Sequence, residues 1–271
     1  MVGAGLGTLR GVCTVLLRFA PDGPWPILLG AVRDEFVDRP WDPPAGHWPD
    51  RPGLVGGRDR AAGGTWLAVD PSRRAVAALL NGYPLGRPAD GGRPTRGTLA
   101  LDLLSGGERA VPGPGEVTRY DTFHLLHATL DRGVVWSWDG VEMTRTDLTP
   151  GDHILVNAGV DAVDDPLVPH FMPVLDKVPS VAPRPGLPTD LAWDGWLALL
   201  AGDGLDPADD RALIVARTIA GVGYGSTSVT LVGLSPDTVR YDFTDRPGRE
   251  DGWWEIPVMA AGGLPRTPGR G

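Results

Sequence analysis

Short apolar runs separated by turn-forming residues place the tightest limit on the fold of this chain. Residues 12–19 and 26–36 are two such runs, and the Pro-Asp-Gly-Pro sequence at 21–24 joins them, which predicts a β-hairpin. Residues 65–70 and 75–81 flank another turn and predict a second hairpin. Because strands and helices do not alternate regularly along the sequence, neither a Rossmann fold nor a β/α barrel is expected.

The rest of the chain indicates more strands, enough for two sheets, and few helices. Further strands are predicted within 123–159 and at 211–218, 226–234 and 238–243. A helix is predicted over 95–107, capped by Thr95. A second helix is predicted over 190–202 behind an Asp190 cap, because apolar residues recur there at helical spacing.

Two segments, 37–64 and 166–188, are rich in proline and show no period, so irregular structure is expected there. With 42% hydrophobic residues, the chain has ample material for a core. We predict a single domain over residues 13–258, followed by a flexible tail over 259–271 that is rich in glycine, proline and arginine.

The charge and the apolar content exclude several classes of partner. The formal net charge of −9 argues against nucleic acid or an anionic membrane as the main partner. No stretch approaches the roughly 20 apolar residues that span a bilayer. The single cysteine cannot form an internal disulfide, so the sequence favours a cytoplasmic protein.

That cysteine, Cys13, stands at the head of the first predicted strand. A thiol at the true N-terminus of a protein can use its own α-amino group, with a reference pKa of about 8, as a base. Lys177 is the only lysine, a residue usage typical of GC-rich genomes, in which GTG often serves as a start codon. We therefore predict that Val12 is the initiator and that residues 1–12 are a misannotated extension.

Arg33 and Asp34 end the second predicted strand, and the hairpin would bring them near Cys13. A guanidinium lowers the pKa of a neighbouring thiol, and a carboxylate can orient an amine. The alternative is that Arg33 and Asp34 form a solvated strand end and that Cys13 is a small core residue.

Asn81 and Asn157 each end a predicted strand, where a side-chain amide can donate to an oxyanion. The Asn-Gly sequence at Asn81 is equally typical of a tight turn, and Asn157 carries the same ambiguity. His124 and His127 would lie on opposite faces of a strand, so no metal site is predicted.

Several motifs together resemble those of the NRDE family, which includes the transport and Golgi organisation 2 protein of animals. The motifs are Cys13-Thr14, Arg33-Asp34-Glu35-Phe36, Gly63-Gly64-Thr65-Trp66-Leu67, Ala78-Leu79-Leu80-Asn81, Thr95-Arg96-Gly97 and Val156-Asn157. The family is similar in its opening motifs to N-terminal nucleophile (Ntn) hydrolases, so the resemblance implies an α+β fold built as a four-layer αββα sandwich.

The resemblance also implies a site and an activity. Cys13 would be the nucleophile and its amine the base, Arg33 and Asp34 would activate and orient them, and Asn81 and Asn157 would support the oxyanion. The implied activity is hydrolysis of a non-peptide amide C–N bond of a small molecule, without a cofactor or a metal.

Three positions depart from the family pattern. Val32 stands in place of the first asparagine of the Asn-Arg-Asp-Glu signature, Thr227 in place of an arginine, and His124 in place of an asparagine. These departures leave open a divergent member with altered or reduced activity, or one that keeps the fold alone.

The alternative function is a non-catalytic carrier. Animal members of the family are linked to haem mobilisation and lipid metabolism, which makes haem a possible ligand of the same cleft. Trp41, His47 and Trp48 would line such a site.

Overall fold

Two antiparallel β-sheets form the centre of the computed structural model, which describes residues 13–83, 93–180 and 183–258. The chain is therefore a mixed α+β protein with few helices, as its sequence predicts. The predictions for residues 1–12 and 259–271 lie outside the described residues. No helix within the described ranges is long and apolar enough to cross a membrane.

The described residues form fifteen strands, five α-helices and one 3₁₀ turn. The strands are β1 (Thr14–Phe19), β2 (Ile27–Phe36), β3 (Trp41–Ala45), β4 (Val55–Asp59), β5 (Leu67–Asp70), β6 (Ala75–Asn81), β7 (Phe123–Ala128), β8 (Gly133–Trp138), β9 (Met143–Asp147), β10 (Gly151–Val156), β11 (Gly159–Val160), β12 (Ala216–Ile219), β13 (Val222–Leu234), β14 (Val239–Thr244) and β15 (Trp254–Glu255). The α-helices are α1 (Thr98–Gly106), α2 (Pro114–Val117), α3 (Leu167–Leu175), α4 (Thr189–Ala192) and α5 (Asp194–Leu200). A 3₁₀ turn, Gly107–Ala110, follows α1.

The first sheet has the order β11-β10-β1-β2-β13-β14-β15, with β12 paired to β13, and the second runs from β3 to β9 in chain order. Both predicted hairpins are confirmed, because β1 pairs with β2 and β5 pairs with β6. The strands predicted within 123–159 are confirmed as β7 to β10. The N-terminal hairpin lies inside the first sheet, between β10 and β13.

The prediction of irregular structure over 37–64 is wrong in part, because β3 and β4 lie within it. The prolines of β3 hid it, yet prolines are tolerated on an edge strand, and β3 is the edge of the second sheet. The glycines of β4 serve close packing: a Cβ on Gly57 would lie 2.2 Å from the ring of Trp66. Both strands therefore depend on neighbours that local sequence does not reveal.

The proline-rich segment 166–188 also contains a regular element, helix α3, despite the proline at 173 inside it. Its apolar residues Leu167, Phe171 and Leu175 recur at intervals of four and are buried. Packing of that face holds the helix, since most helical stability in proteins comes from tertiary packing.

The two predicted helices are present but differ from the prediction in their bounds. Helix α1 begins at Thr98 with Gly97 at its N-cap position, rather than with Thr95 as cap. The helix predicted over 190–202 is divided into α4 and α5 at Trp193, and Asp190 lies in the first turn of α4 rather than at its cap. At the break the backbone leaves the helical region, with φ −108° and ψ 17° at Trp193 and φ 32° at Asp194. The Trp193 side chain is buried there and donates from Nε1 to Asp242 at 2.7 Å.

Apolar side chains form three clusters. One joins the two sheets and includes Leu29 and Val69. A second joins the first sheet to the helices after β11 and includes Phe171 and Trp196. A third joins α1 to the second sheet and includes Leu101. Alternate residues of β1, β2 and β6 enter different clusters, so both faces of these strands are buried.

The buried carboxylate of Asp242, which accepts a hydrogen bond from Trp193 of the second cluster, is expected to stabilise the fold. Asp242 is 0% exposed and pairs with Arg240 at 2.6 Å, and Arg240 is 5% exposed. Asp242→Asn leaves a buried guanidinium with only the exposed Glu255 as counterion. We expect the free energy of unfolding, measured by urea denaturation, to fall by about 3 kcal/mol.

The matched control is the surface pair Arg249 and Asp251, whose side chains are 61% and 62% exposed. Asp251→Asn should change the free energy of unfolding by less than about 1 kcal/mol. Equal effects of the two substitutions would contradict a structural role for the buried pair.

Candidate active site

A cavity of about 260 Å³ surrounds the single cysteine and takes its walls from both sheets. Its lining residues are Cys13, Arg33, Asp34, Glu35, Phe36, Arg39, Asp59, Ala62, Thr65, Trp66, Leu79, Asn81, Thr95, Arg96 and Gly97. Four of the five predicted site residues are therefore brought together here: Cys13, Arg33, Asp34 and Asn81.

A larger cavity, of about 450 Å³, lies near the opposite end of β1. Its lining includes Arg18 and Asp152, which pair with each other at 2.7 Å, and it contains no cysteine. Arg18 also donates to the backbone carbonyls of Leu175 and Val178 at the end of α3. These contacts make Arg18 a structural residue, and the smaller cavity is the one that holds reactive groups.

Strand register aligns the reactive groups in a row across the first sheet. Thr14 lies opposite Val32, and Val15 lies opposite Leu155. Extended by one residue, the β1–β2 register places Cys13 level with Arg33. Extended by two residues, the β1–β10 register places Cys13 level with Asn157, just after β10. Ser228 of β13 lies opposite Arg33 on its other side. A polar row therefore lies at the end of the apolar layer between the sheets, and it consists of Asn157, Cys13, Arg33 and Ser228.

The Cys13 thiol is partly exposed and donates to the backbone carbonyl of Asp34 at 3.5 Å. Burial and the negative charge of Asp34 raise the pKa of Cys13 to about 12, while Arg33 acts in the opposite direction. The thiol is therefore protonated near neutral pH when Cys13 is an internal residue. A nucleophilic role requires a base that removes this proton.

Arg33 is held rigidly from three sides. Its guanidinium lies over the Trp66 ring, 4.5 Å from the centroid, and donates to Thr227 Oγ1 at 2.8 Å. A more distant contact of 3.7 Å joins it to Glu35. Thr227 occupies a β-bulge of β13, and this places its hydroxyl against Arg33. The residue that departs from the family pattern at 227 thus positions a predicted site residue.

Asp34 accepts a hydrogen bond from Ser226 Oγ at 2.6 Å. Burial raises the pKa of Asp34 to about 7, although the Ser226 hydroxyl, Arg217 and Arg33 each favour its charged form. Its carboxyl group therefore gains and loses its proton near neutral pH. The sequence shows the carboxylate but not this titration, which depends on β13 lying beside β2.

Asn157 is 1% exposed, and neither atom of its side-chain amide has a hydrogen-bond partner among the described residues. It also occupies the two-residue turn between β10 and β11, so the turn interpretation of this position is correct as well. Its backbone carbonyl contacts His124 Nε2 at 3.0 Å. His124 therefore positions Asn157, and a buried amide without a partner is suited to bind a ligand oxygen.

Asn81 ends β6 and lines the cavity from the second sheet. The tight-turn interpretation does not apply at Asn81, because the next residue, Gly82, continues the pairing toward β7: its N–H donates to the Thr122 carbonyl, and its carbonyl accepts from Thr122 Oγ1. The side chain is half-buried and makes no hydrogen bond to the described residues. Asn81 thus faces the cavity, whereas Asn157 lies beneath its lining.

Three further residues line the cavity that were not predicted as site residues from the sequence: Arg39, Asp59 and Arg96. Arg39 pairs with Asp59 at 2.7 Å, and one nitrogen of Arg96 donates to the Thr122 carbonyl at 2.7 Å. The Thr95-Arg96-Gly97 motif was the only signal for Arg96.

The residues named for a carrier do not line the described cavity. Trp41 packs edge-on against Trp66, and Trp48 packs with α1 and donates to the Gly63 carbonyl at 3.1 Å. His47 Nε2 contacts the Pro43 carbonyl at 2.7 Å. Within the described ranges, no three His, Cys, Asp or Glu side chains are grouped to hold a metal ion.

Comparison with known proteins identifies the family. The family model described as Transport and Golgi organisation 2 matches residues 12–173. No curated protein matches the sequence. The matched range contains the cavity-lining residues from Cys13 to Gly97 and also Asn157. Because the match covers more than half of the 271 residues, the chain belongs to the Transport and Golgi organisation 2 family.

Proposed function

We propose that this protein is an N-terminal cysteine hydrolase that cleaves a non-peptide amide bond of a small molecule. In its active form the chain begins at Cys13. The observation that carries the proposal is the cavity in which the single thiol lies beside the Arg33 guanidinium, with the Asn81 and Asn157 amides nearby.

In the proposed reaction the free α-amine of Cys13 accepts the thiol proton, and the sulfur attacks the amide carbon. The amides of Asn81 and Asn157 stabilise the oxyanion, and the protonated α-amine then returns its proton to the leaving amine. Water hydrolyses the resulting thioester and regenerates the thiol. The high pKa of the internal Cys13 thiol supports the need for this amine.

Arg33 and Asp34 have complementary roles in this scheme. Arg33 lies level with Cys13 on the neighbouring strand and stabilises the thiolate by its positive charge. The charged form of Asp34 attracts the ammonium that forms when the amine accepts a proton. The contacts of Arg33 with Trp66 and Thr227 supply the preorganisation that such roles need.

We also propose that the fold is the four-layer αββα sandwich of the Ntn hydrolases. The three apolar clusters support this arrangement, because one joins the two sheets and each of the others joins one sheet to helices. The bounds proposed for this domain are residues 13–258.

The proposed start at Cys13 draws support from the family match, which begins at residue 12. Intact-mass measurement of the native protein tests it directly. A mass that corresponds to a chain beginning at Cys13 is expected, and a mass that includes residues 1–11 would contradict the proposal.

A chain encoded to begin Met-Cys13, from which the Met is removed, should react with 4-nitrophenyl acetate to form a thioester on Cys13. We expect its acylation rate to exceed that of the 271-residue chain by about 10²- to 10⁴-fold, because only the shorter chain has the α-amine as base. Nitrophenolate release gives the rate, and intact mass shows the bound acetyl group.

The control is Cys13→Ala in the same shortened chain. This variant keeps the fold and the α-amine but lacks the thiol. Nitrophenolate release from this variant as fast as from the shortened chain with Cys13 would rule out Cys13 as the nucleophile.

The acylation rate of the shortened chain should rise as the pH rises through about 7, where Asp34 becomes charged. Ser226→Ala removes a hydrogen bond that favours the carboxylate, so the pKa of Asp34 rises further. The acid limb of the pH profile is the part in which the acylation rate rises as Asp34 loses its proton. In Ser226→Ala this limb should shift to higher pH by roughly one unit. Acylation rates measured from about pH 5.5 to pH 9 test this shift.

Thr144→Ala, on the exposed outer strand β9, is the matched control and should leave the profile unchanged. The shortened chain, its Ser226→Ala variant and its Thr144→Ala variant all carry the α-amine, whose deprotonation near its reference pKa of about 8 also affects the rate in each of them. An unshifted profile for Ser226→Ala would show that Asp34 does not set the acid limb.

A further inference from the structure

We propose that Arg96 binds a carboxylate group of the substrate, so that the site accepts small amides that carry a negative charge. This inference rests on the function proposed above and adds a substrate class to it. Arg96 lines the same cavity as Cys13, on the short segment that leads into α1.

The other two arginines of the cavity already have acidic partners. Arg39 pairs with Asp59 at 2.7 Å and contacts Glu35 at 3.4 Å. Arg33 contacts Glu35 at 3.7 Å and lies over Trp66. Their positive charges are therefore largely balanced within the protein.

Arg96 differs from both. In the part of the chain that the structure describes, no carboxylate oxygen lies within 4.0 Å of its guanidinium. The neighbouring Asp121 is engaged by Arg93 at 2.6 Å. The contact with the Thr122 carbonyl uses one nitrogen of Arg96 and fixes the position of the group without neutralising it.

The surroundings of the Arg96 guanidinium favour the binding of an anion. Arg96 is half-buried, and burial lowers its pKa from the usual value. The negative charges of Asp121 and Glu35 act on Arg96 only from beyond contact distance. A partly desolvated cation that no carboxylate contacts gains free energy when an anion binds it, and a guanidinium suits the two oxygens of a carboxylate. The charged residues that line the cavity are three arginines and three carboxylates, and burial raises the pKa of one of these carboxyl groups, that of Asp34, to about 7.

The volume of the cavity also limits the size of the substrate. Its volume of about 260 Å³ is below the range of about 300 to 1,000 Å³ that is typical of sites for drug-sized ligands. Arg96 and Cys13 line the same small space, so the carboxylate must lie only a few bonds from the scissile amide. The geometry thus favours a compact amide with a single carboxylate.

Two alkylating reagents of nearly equal size test the charge preference. Iodoacetate carries a carboxylate and iodoacetamide a neutral amide, and with each the thiolate displaces iodide and forms an S–C bond. Because the chain has one cysteine, the intact mass reports alkylation of Cys13 alone. The measured quantity is the ratio of the two rate constants at about pH 8.5, in the 271-residue chain.

Arg96→Gln should lower the iodoacetate-to-iodoacetamide ratio by about tenfold, because the anionic reagent loses a charge-assisted hydrogen bond. Any change in the pKa of Cys13 affects both reagents alike and cancels in the ratio. Arg96→Lys should keep most of the preference because it keeps the charge. Arg119→Gln, at an exposed position, is the matched control and should leave the ratio unchanged.

A ratio in Arg96→Gln equal to that of the unmodified protein would overturn the proposal. Thermal melting of Arg96→Gln and Arg96→Lys shows whether either substitution disturbs the fold. If the glutamine variant unfolds, Arg96→Met, which also removes the charge, gives the test with the same expected loss of preference. The ratio requires no hydrolysis. A lowered ratio together with absent acylation by 4-nitrophenyl acetate would therefore refute the hydrolase and keep the anion site.

Discussion

The pairing of β1 with β10 on one side and with β2 on the other is the constraint on which the whole site depends. A strand alternates its side chains between two faces, so a slip of one residue would turn Cys13 away from the cavity. Burial on both faces prevents such a slip. Leu17 enters the cluster between the sheets, whereas Leu16 enters the cluster with the helices.

Cys13 and Asp34 lie at the same end of the first sheet, and burial there accounts for the unusual pKa values of both groups. The same loss of water raises the pKa of the Cys13 thiol and that of the Asp34 carboxyl group. Arg33 is held in place by an aromatic face and a hydroxyl group rather than by a close ion pair. The protein thus brings a protonated thiol, a carboxyl group that titrates near neutral pH and a fixed cation into one small space.

The three departures from the family pattern have physical explanations in this fold. Val32 points away from the cavity and packs in the cluster with the helices. Thr227 lies in a bulge, and its hydroxyl group contacts Arg33. His124 contacts the carbonyl of Asn157 and so fixes a residue of the polar row. Each residue therefore serves the structure around the proposed site, and none of them lines the cavity itself.

The sequence alone determined the two hairpins, the strands after residue 123 and the motifs that lead to Cys13, Arg33, Asp34 and Asn81, because strands and turns follow from local patterns. Strand β3 and helix α3 were missed because proline conceals elements that packing holds in place. Only the tertiary structure decided which charges are balanced. Arg33 meets Thr227 across 194 positions of sequence, and Arg96 meets the Thr122 carbonyl but no described carboxylate. Such pairings depend on distance in space, which spacing along the chain does not encode.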